Sequence, residues 1–305
     1  MAAVVPEVVV IGSANMDLVT RAPRFPLPGE TVLGSKFTTF TGGKGANQAC
    51  AIAKLGGRPR FIGKVGNDSF GLQIISSLRQ IGVDTANVFA EQDLVTGTAM
   101  ITVTDSGENT IVVAGGANAR VDPDFVNERL SKFEFNTVLM QLETPVSTVQ
   151  EIIRKKKLAI LNPAPASDLP DEIYHGLDWI TPNETETHRL TGVRPIDTES
   201  CRKAAAWFLQ HGVKNVVITL GAKGSFLVNS QIEIHCPTIE VKTIDTTAAG
   251  DAFNGALAQF LNEGRDGQNA VMLANRAGAL ATTKLGAQAS LPSRDELRAV
   301  SSGLF

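Results

Sequence analysis

Cysteine is scarce in this chain of 305 residues. There are three, Cys50, Cys201 and Cys236, widely spaced and without a C-x-x-C pair. That argues against a disulfide framework or a thiolate zinc site and for buried or free thiols in a reducing compartment. Excess charge is missing too. The formal net charge is -3 and the pI about 5.9, so no basic surface is expected for nucleic acid or another polyanion. Long apolar runs are absent. Residues 1–7 carry no basic region, and the apolar run after them stops at Gly12, too short to span a membrane. No internal repeat or low-complexity tract appears. What remains is a cytosolic globular protein without nucleic-acid or membrane partners. Its 43% hydrophobic and 19% charged residues suit one large domain or two smaller ones, and 1–305 reads as a single domain.

What is present is chemistry concentrated in one stretch, Thr243-Ile244-Asp245-Thr246-Thr247-Ala248-Ala249-Gly250-Asp251-Ala252-Phe253-Asn254-Gly255. Two carboxylates bracket small and hydroxyl residues. Phe253, Leu257, Phe260 and Leu261 follow on one face of a helix, with Gly264 as its stop. Ala248, Ala249 and Gly250 therefore sit where the first helical amides are unpaired, and only methyls or hydrogen cover them. Such a tip favours an anion, and Asp251 in the first turn would lie beside it. Phosphoryl transfer uses this arrangement, with amides around the moving charge and a carboxylate for the acceptor's proton. The plainer alternative is an aspartate that merely complements the helix dipole.

The rest of the chain alternates strand and helix. Val8–Ile11 is a β-branched run suited to a buried parallel strand, and Ser13-Ala14-Asn15-Met16-Asp17 follows at its carboxyl end. For Asn15 and Asp17, turn chemistry is the alternative reading. A strand is expected over 31–41. Gly42-Gly43-Lys44-Gly45-Ala46-Asn47-Gln48 then opens an alanine-rich helix that reaches about Leu55. Gly45 stands where a P-loop needs Ser or Thr, and Gln48 where a dinucleotide fingerprint needs Gly. Further elements are a strand over 60–65, a helix over 69–81 and a hairpin from 96–104 and 109–113. With segment 31–41 that hairpin reads as a small lid sheet, formed by insertions at about 14–41 and 96–114. From Asp122 the expected order is strand 138–142, helix 144–156, strands 158–161 and 179–181, helix 200–210 and strand 215–220. Short strands at 225–228 and 232–235 and helices at 269–284 and 293–300 complete it. The basic run 154–157 reads as a solvated helix end. Repeated β-α-β order implies an α/β fold with a doubly wound, mostly parallel sheet flanked by helices.

Four motifs recur together in one family. They are Gly12-Ser13-Ala14-Asn15-Met16-Asp17, Thr41-Gly42-Gly43-Lys44-Gly45-Ala46-Asn47-Gln48, Pro182-Asn183-Glu184-Thr185-Glu186, and Asp245-Thr246-Thr247-Ala248-Ala249-Gly250-Asp251. In these the chain resembles the ribokinase-like family of carbohydrate and adenosine kinases, over essentially its whole length. The resemblance implies ATP-dependent phosphorylation of D-ribose at its terminal 5-hydroxyl. It implies a sugar pocket of Asn15, Met16, Asp17, Gly43, Lys44, Gly45, Ala46, Asn47 and Glu143, with Asp17, Glu143 and Asn15 as acceptors and Lys44 and Asn47 as donors. Asp251 would be the general base, and Ala248, Ala249 and Gly250 the anion hole. ATP would lie along Thr219, Leu220, Gly221, Ala222, Lys223 and Gly224, with Asn183, Gly250 and Asn275. Glu186 would organise Mg²⁺ through water. An activating K⁺ would sit near Asp245, Thr247, Ala281, Lys284, Gly286 and Ser290. Two lids would clasp in a homodimer. Competing readings are a related kinase for adenosine or a hexose, a non-catalytic sugar-binding protein, and a nicotinamide-dependent oxidoreductase.

Overall fold

Parallel strands buried on both faces need apolar side chains on both, and the chain supplies them. Val8 and Val10 join one hydrophobic core while Val9 and Ile11 join the other. The same division runs through the neighbouring strands, with Leu139 and Ile160 on one side and Met140 and Leu161 on the other. A computed structural model describes residues 8–155 and 157–305. The readings made for residues 1–7 and for Lys156, as the end of the helix begun at 144, lie outside the described residues.

The chain opens with β1 (Val8–Ile11), β2 (Asn15–Ala22), β3 (Lys36–Gly42), α1 (Lys44–Lys54), β4 (Pro59–Gly66), α2 (Ser69–Ile81) and β5 (Asp84–Glu91). The hairpin β6 (Gly97–Thr104) and β7 (Asn109–Ala114) leads through a 3-10 turn, Gly116–Arg120, to α3 (Pro123–Leu130). Alternation then gives β8 (Thr137–Met140), α4 (Val146–Ile153), β9 (Leu158–Leu161), α5 (Asp171–Gly176), β10 (Trp179–Ile180), α6 (Glu184–Thr191), α7 (Thr198–Gln210) and β11 (Asn215–Thr219). Last come β12 (Ser225–Asn229), β13 (Glu233–Cys236), α8 (Ala249–Asn262), α9 (Gly267–Ala281) and α10 (Arg294–Ala299).

Nine strands form the main sheet, in the order β13-β12-β11-β10-β9-β8-β1-β4-β5. Pairing is parallel from β11 to β5, and β12 and β13 are antiparallel at the far edge. The doubly wound, mostly parallel sheet expected from the alternation is therefore present. A separate four-stranded sheet has the order β3-β2-β6-β7. Its outer surfaces are apolar and exposed: Phe37 is 63% exposed, Val112 62% and Ile111 55%.

The structure departs from the sequence reading most clearly in three places. Residues 15–17 are not a turn but the first residues of β2, paired to β3 and β6 with Asn15 opposite Gly42 and Gly97. The strand expected over 31–41 begins only at Lys36. Edge strand β5, with alternating polar and partly buried positions, had no strong pattern of its own and forms because β4 lies beside it. In each case pairing partners distant in sequence outweigh local preference.

Helices α1 and α8 cross closely under this framework. A Cβ on Gly255 would stand 2.5 Å from Ala51 Cβ and 2.8 Å from the Gln48 carbonyl. Glycine on one helix and alanine on the other bring the two backbones together, and with them the side chains at their N-terminal ends.

Candidate active site

The loops at the carboxyl ends of β1, β8, β9, β10 and β11 carry the polar residues of the site, the place where open α/β sheets bind ligands. Gly12 and Ser13 leave β1, and Gln141 and Glu143 leave β8. Asn162 follows β9, Thr181 follows β10, and Asn183 forms an isolated bridge with Thr219 at the end of β11. The N-termini of α1 and α8 point into the same region.

Asp251 occupies the first turn of α8 and is only 8% exposed. Its Oδ2 accepts from Asn47 Nδ2 at 2.9 Å and its Oδ1 from Gln48 Nε2 at 3.0 Å. Gln48 in turn accepts from Gln141 Nε2 at 2.6 Å and donates to Asn162 Oδ1 at 3.0 Å. Burial pushes the Asp251 carboxyl up, against the charge of Lys44 and the two amide hydrogen bonds. A buried carboxylate oriented by neutral donors is suited to proton acceptance.

The tip of α8 is an unusual turn. Ala248 caps it at φ 61 and ψ 10, the one non-glycine with positive φ among the described residues. Holding an alanine there costs about 1 kcal/mol, and the residue packs against the core beneath. Of the three amides expected to face an anion, that of Ala249 is committed, donating to the Thr246 carbonyl at 3.2 Å. Among the described residues the N–H groups of Ala248, Gly250 and Asp251 have no backbone acceptor, and a Cβ on Gly250 would meet nothing within 4 Å. The open surface of the tip is therefore centred on Gly250. Asn254 ties the turn down, donating to the Gly250 carbonyl at 2.8 Å and accepting from Thr181 Oγ1 at 2.6 Å.

Four carboxylates surround one lysine. Burial and the charges of Glu143 and Asp251 push Asp17 up to about 7, with Lys44 acting in the other direction. Burial also raises Glu186, more than the Asn183 N–H and Lys44 lower it. For Lys44 burial acts downward, but Asp251, Glu143, Glu186 and Asp17 outweigh it and raise its pKa. Glu143 accepts from Ser13 Oγ and, at 3.1 Å, from the Lys44 N–H. The site thus presents carboxylate oxygens and an ammonium to a ligand rich in hydroxyls.

The two amides of the expected pocket are each engaged on one side. Asn47 Nδ2 donates one hydrogen to Asp251, and its buried Oδ1 has no partner among the described residues. Asn15 Oδ1 accepts from Asn118 Nδ2 at 2.7 Å, which leaves its Nδ2 without an acceptor among the described residues. Met16 and Ala46 are buried in the hydrophobic core, and Gly43 and Gly45 let the backbones approach. A Cβ on Gly43 (φ 87) would lie 2.7 Å from the Asn15 N, and one on Gly45 2.7 Å from Gly12 Cα.

Along the expected nucleotide strip, residues 219–224 form a tight turn closed by Leu220 N–H to the Gly224 carbonyl at 2.8 Å. Gly224 is required by the protein itself, since a Cβ there would stand 2.2 Å from the Cys236 carbonyl, whereas Gly221 faces open space. Asn275 Nδ2 is likewise committed, to Ser225 Oγ at 3.0 Å and the Cys236 carbonyl at 2.8 Å. Asn183 and Glu186 form a capping box at the start of α6. That box engages Glu186 Oε2 and leaves its second oxygen without a hydrogen-bond partner among the described residues.

Of the residues expected around a monovalent cation, Asp245, Thr247 and Gly286 are joined by hydrogen bonds. Asp245 Oδ1 accepts from Thr247 N–H at 2.9 Å and from Thr247 Oγ1 at 2.6 Å, and its Oδ2 accepts from Gly286 N–H at 2.9 Å. Burial acts upward on Asp245, but these bonds outweigh it and hold its carboxyl below the usual range. Lys284 turns its ammonium to Glu296, so only its carbonyl is free for a cation. Sequence gave no hint of Lys54. Its ammonium donates to the carbonyls of Gln288 at 2.8 Å and Leu291 at 3.0 Å, and so fastens the 286–291 loop to α1.

An open helix tip, a buried carboxylate beside it and a cluster of carboxylates around one lysine thus meet at the carboxyl edge of a doubly wound sheet. The pfkB family carbohydrate kinase model matches residues 5–294. A ribokinase from Haemophilus influenzae is 42% identical over 292 residues, covering 94% of this chain and 95% of that protein. The crystal structure of a ribokinase from Thermotoga maritima has a TM-score of 0.89 at 39% identity, covering 96% of this chain and 98% of that one. The Arabidopsis thaliana ribokinase complexed with ribose and ATP has a TM-score of 0.88 at 32% identity, covering 97% and 98%. The chain belongs to the pfkB family of carbohydrate kinases, and is an ATP-dependent sugar kinase.

The raised Asp17 carboxyl has a consequence for stability. A carboxyl raised in the fold stabilises the protein fully below the ordinary aspartate range, and that contribution is lost as pH rises through about 7. Asp17→Asn removes the penalty, so in the ligand-free protein it should raise Tm more at pH 8 than at pH 5. A thermal-shift series across that range checks the sign.

Proposed function

We propose that this enzyme transfers the γ-phosphoryl group of ATP to the terminal 5-hydroxyl of D-ribose. The observation that carries the reading is the placement of Asp251. It is buried, oriented by Asn47 and Gln48, and lies one residue from the open amide of Gly250 and close to the cluster of Asp17, Lys44 and Glu143. The relatives named as ribokinases, and the one complexed with ribose and ATP, supply the substrate.

In this reading Asp17 and Glu143 accept from sugar hydroxyls, while Asn15 Nδ2 and the Lys44 ammonium donate. Asn47 Oδ1, orphaned in the ligand-free protein, gains a hydroxyl donor. The sugar thereby separates the carboxylates that repel each other in its absence. Asp251 accepts the proton of the 5-hydroxyl as that oxygen attacks the γ-phosphorus. The bond to the β,γ-bridging oxygen breaks, and the electron pair leaves on ADP. The transition state is loose, so alignment contributes more than early proton removal. Amides at the α8 tip, Gly250 foremost, hold the equatorial oxygens.

Asn183, residues 219–224 and Asn275 border the nucleotide. Glu186 fits a water-mediated Mg²⁺ role because one oxygen is free while the other locks α6. Asp245, Thr247, Ser290 and the carbonyls of Ala281, Lys284 and Gly286 form an all-oxygen set suited to K⁺. Held by these residues, Mg²⁺ would neutralise phosphate charge and K⁺ would add positive charge to the site. One face of the second sheet carries the exposed apolar residues Phe37, Met100 and Val112 and suits a lid-to-lid homodimer; Phe40 lies on the opposite face, with Asp17.

In a coupled ADP-release assay, D-ribose should outperform hexoses and nucleosides. Asp251→Asn should lower kcat by about two or more orders of magnitude while calorimetry still detects ribose binding. A variant with near-normal turnover would remove Asp251 from the role.

Replacing K⁺ by tetramethylammonium should depress the rate in the same assay, and an unchanged rate would end the cation assignment. Light scattering should give twice the chain mass, and Val112→Glu should shift it toward the monomer. A monomeric mass for the unmodified protein contradicts the lid interface.

A further inference from the structure

Asn118 belongs to none of the four motifs. It lies in the 3-10 turn after β7 and is 1% exposed. Its Oδ1 accepts from the Ala14 N–H at 2.9 Å. A backbone N–H can only donate, so the Asn118 amide has one possible orientation. Its Nδ2 then faces the other way, donating to Asn15 Oδ1 at 2.7 Å and reaching the Ala14 carbonyl at 3.4 Å. Asn15 must therefore turn its oxygen to Asn118 and its Nδ2 elsewhere. That Nδ2 has no acceptor among the described residues, and it is not among the buried polar atoms left without a partner. Gly97 closes the pair, since a Cβ there would stand 2.3 Å from both Asn118 Nδ2 and Asn15 Oδ1. The two amides are in direct contact at 2.7 Å under Gly97, with no place for a water between them, and hydrogen-bond polarity holds their orientation.

We propose that Asn118 is a positioning residue that fixes Asn15 as a hydrogen-bond donor to the sugar. Polarity is relayed from a backbone N–H through two amides to the pocket. The pocket then requires a hydroxyl that accepts at Asn15, and a sugar without that oxygen leaves the Nδ2 unpaired. The proposal rests on the sugar-site reading above.

Asn118→Asp tests the relay. The shape and the acceptor for Ala14 N–H are kept, but Asn15 now faces an oxygen. Its amide must turn, offering Oδ1 to the sugar where Nδ2 stood. The ribose KM should rise about tenfold or more, while kcat and the KM for ATP stay within about twofold. In an Asn15→Ala background, Asn118→Asp should add nothing to the ribose KM.

If Asn15→Ala raises the ribose KM and Asn118→Asp does not, the relay is wrong and the sugar site stands. An equal effect of Asn118→Asp in the Asn15→Ala background also overturns it, because Asn118 then acts on the fold. If Asn15→Ala leaves the ribose KM unchanged, the sugar-site reading falls and the relay with it. Asn118→Ala, which frees Asn15 to turn, runs through the same comparisons should the aspartate variant not fold.

Discussion

Two amide donors on one helix hold a carboxylate on another. The bonds from Asn47 and Gln48 to Asp251 exist only because α1 and α8 cross at a glycine–alanine contact where a Cβ would stand 2.5 Å from its neighbour. A wider crossing would separate the amides from the carboxylate and leave it buried without partners, a costly state. Gln48 extends the hold to Gln141 and Asn162, so the ends of β8 and β9 are joined to the same group. The position of Asp251 is thus set by the packing of the core and not by the flexible surface.

Around that point the molecule accepts instability for function. Asp17, Glu143, Glu186 and Asp251 share one lysine, and burial raises the pKa of three of the four. Ala248 adds a strained backbone at the α8 tip. Both costs fall at the site and not in the core beneath it, the usual place for strain and crowded charge in a folded protein.

The site extends further than its contact residues. Lys54 fastens the 286–291 loop to the far end of α1. That loop holds Asp245 through Gly286 N–H, and Asp245 holds Thr247 beside the anion turn. In the same loop Gln288 accepts from Thr41 Oγ1 at the end of β3. The second sheet, the 286–291 loop and the helix tip therefore form one connected polar framework.

The sequence by itself determined the main sheet, most helices and the family. Buried β-branched runs and apolar faces at helical spacing are local patterns, and four motifs in order are specific. It also placed Asp251 in a first helical turn, because small residues followed by an amphipathic run leave few alternatives. It did not determine that residues 15–17 begin a strand, since their partners lie at 40–42 and 97–99. Nor did it show which way the amides of Asn15 and Asn47 face, or that the Ala249 amide is already occupied. Those features depend on Asn118, Gly97, Gly255 and Thr246. A hydrogen bond's polarity is decided by the atom opposite, and only the tertiary structure brings that atom there.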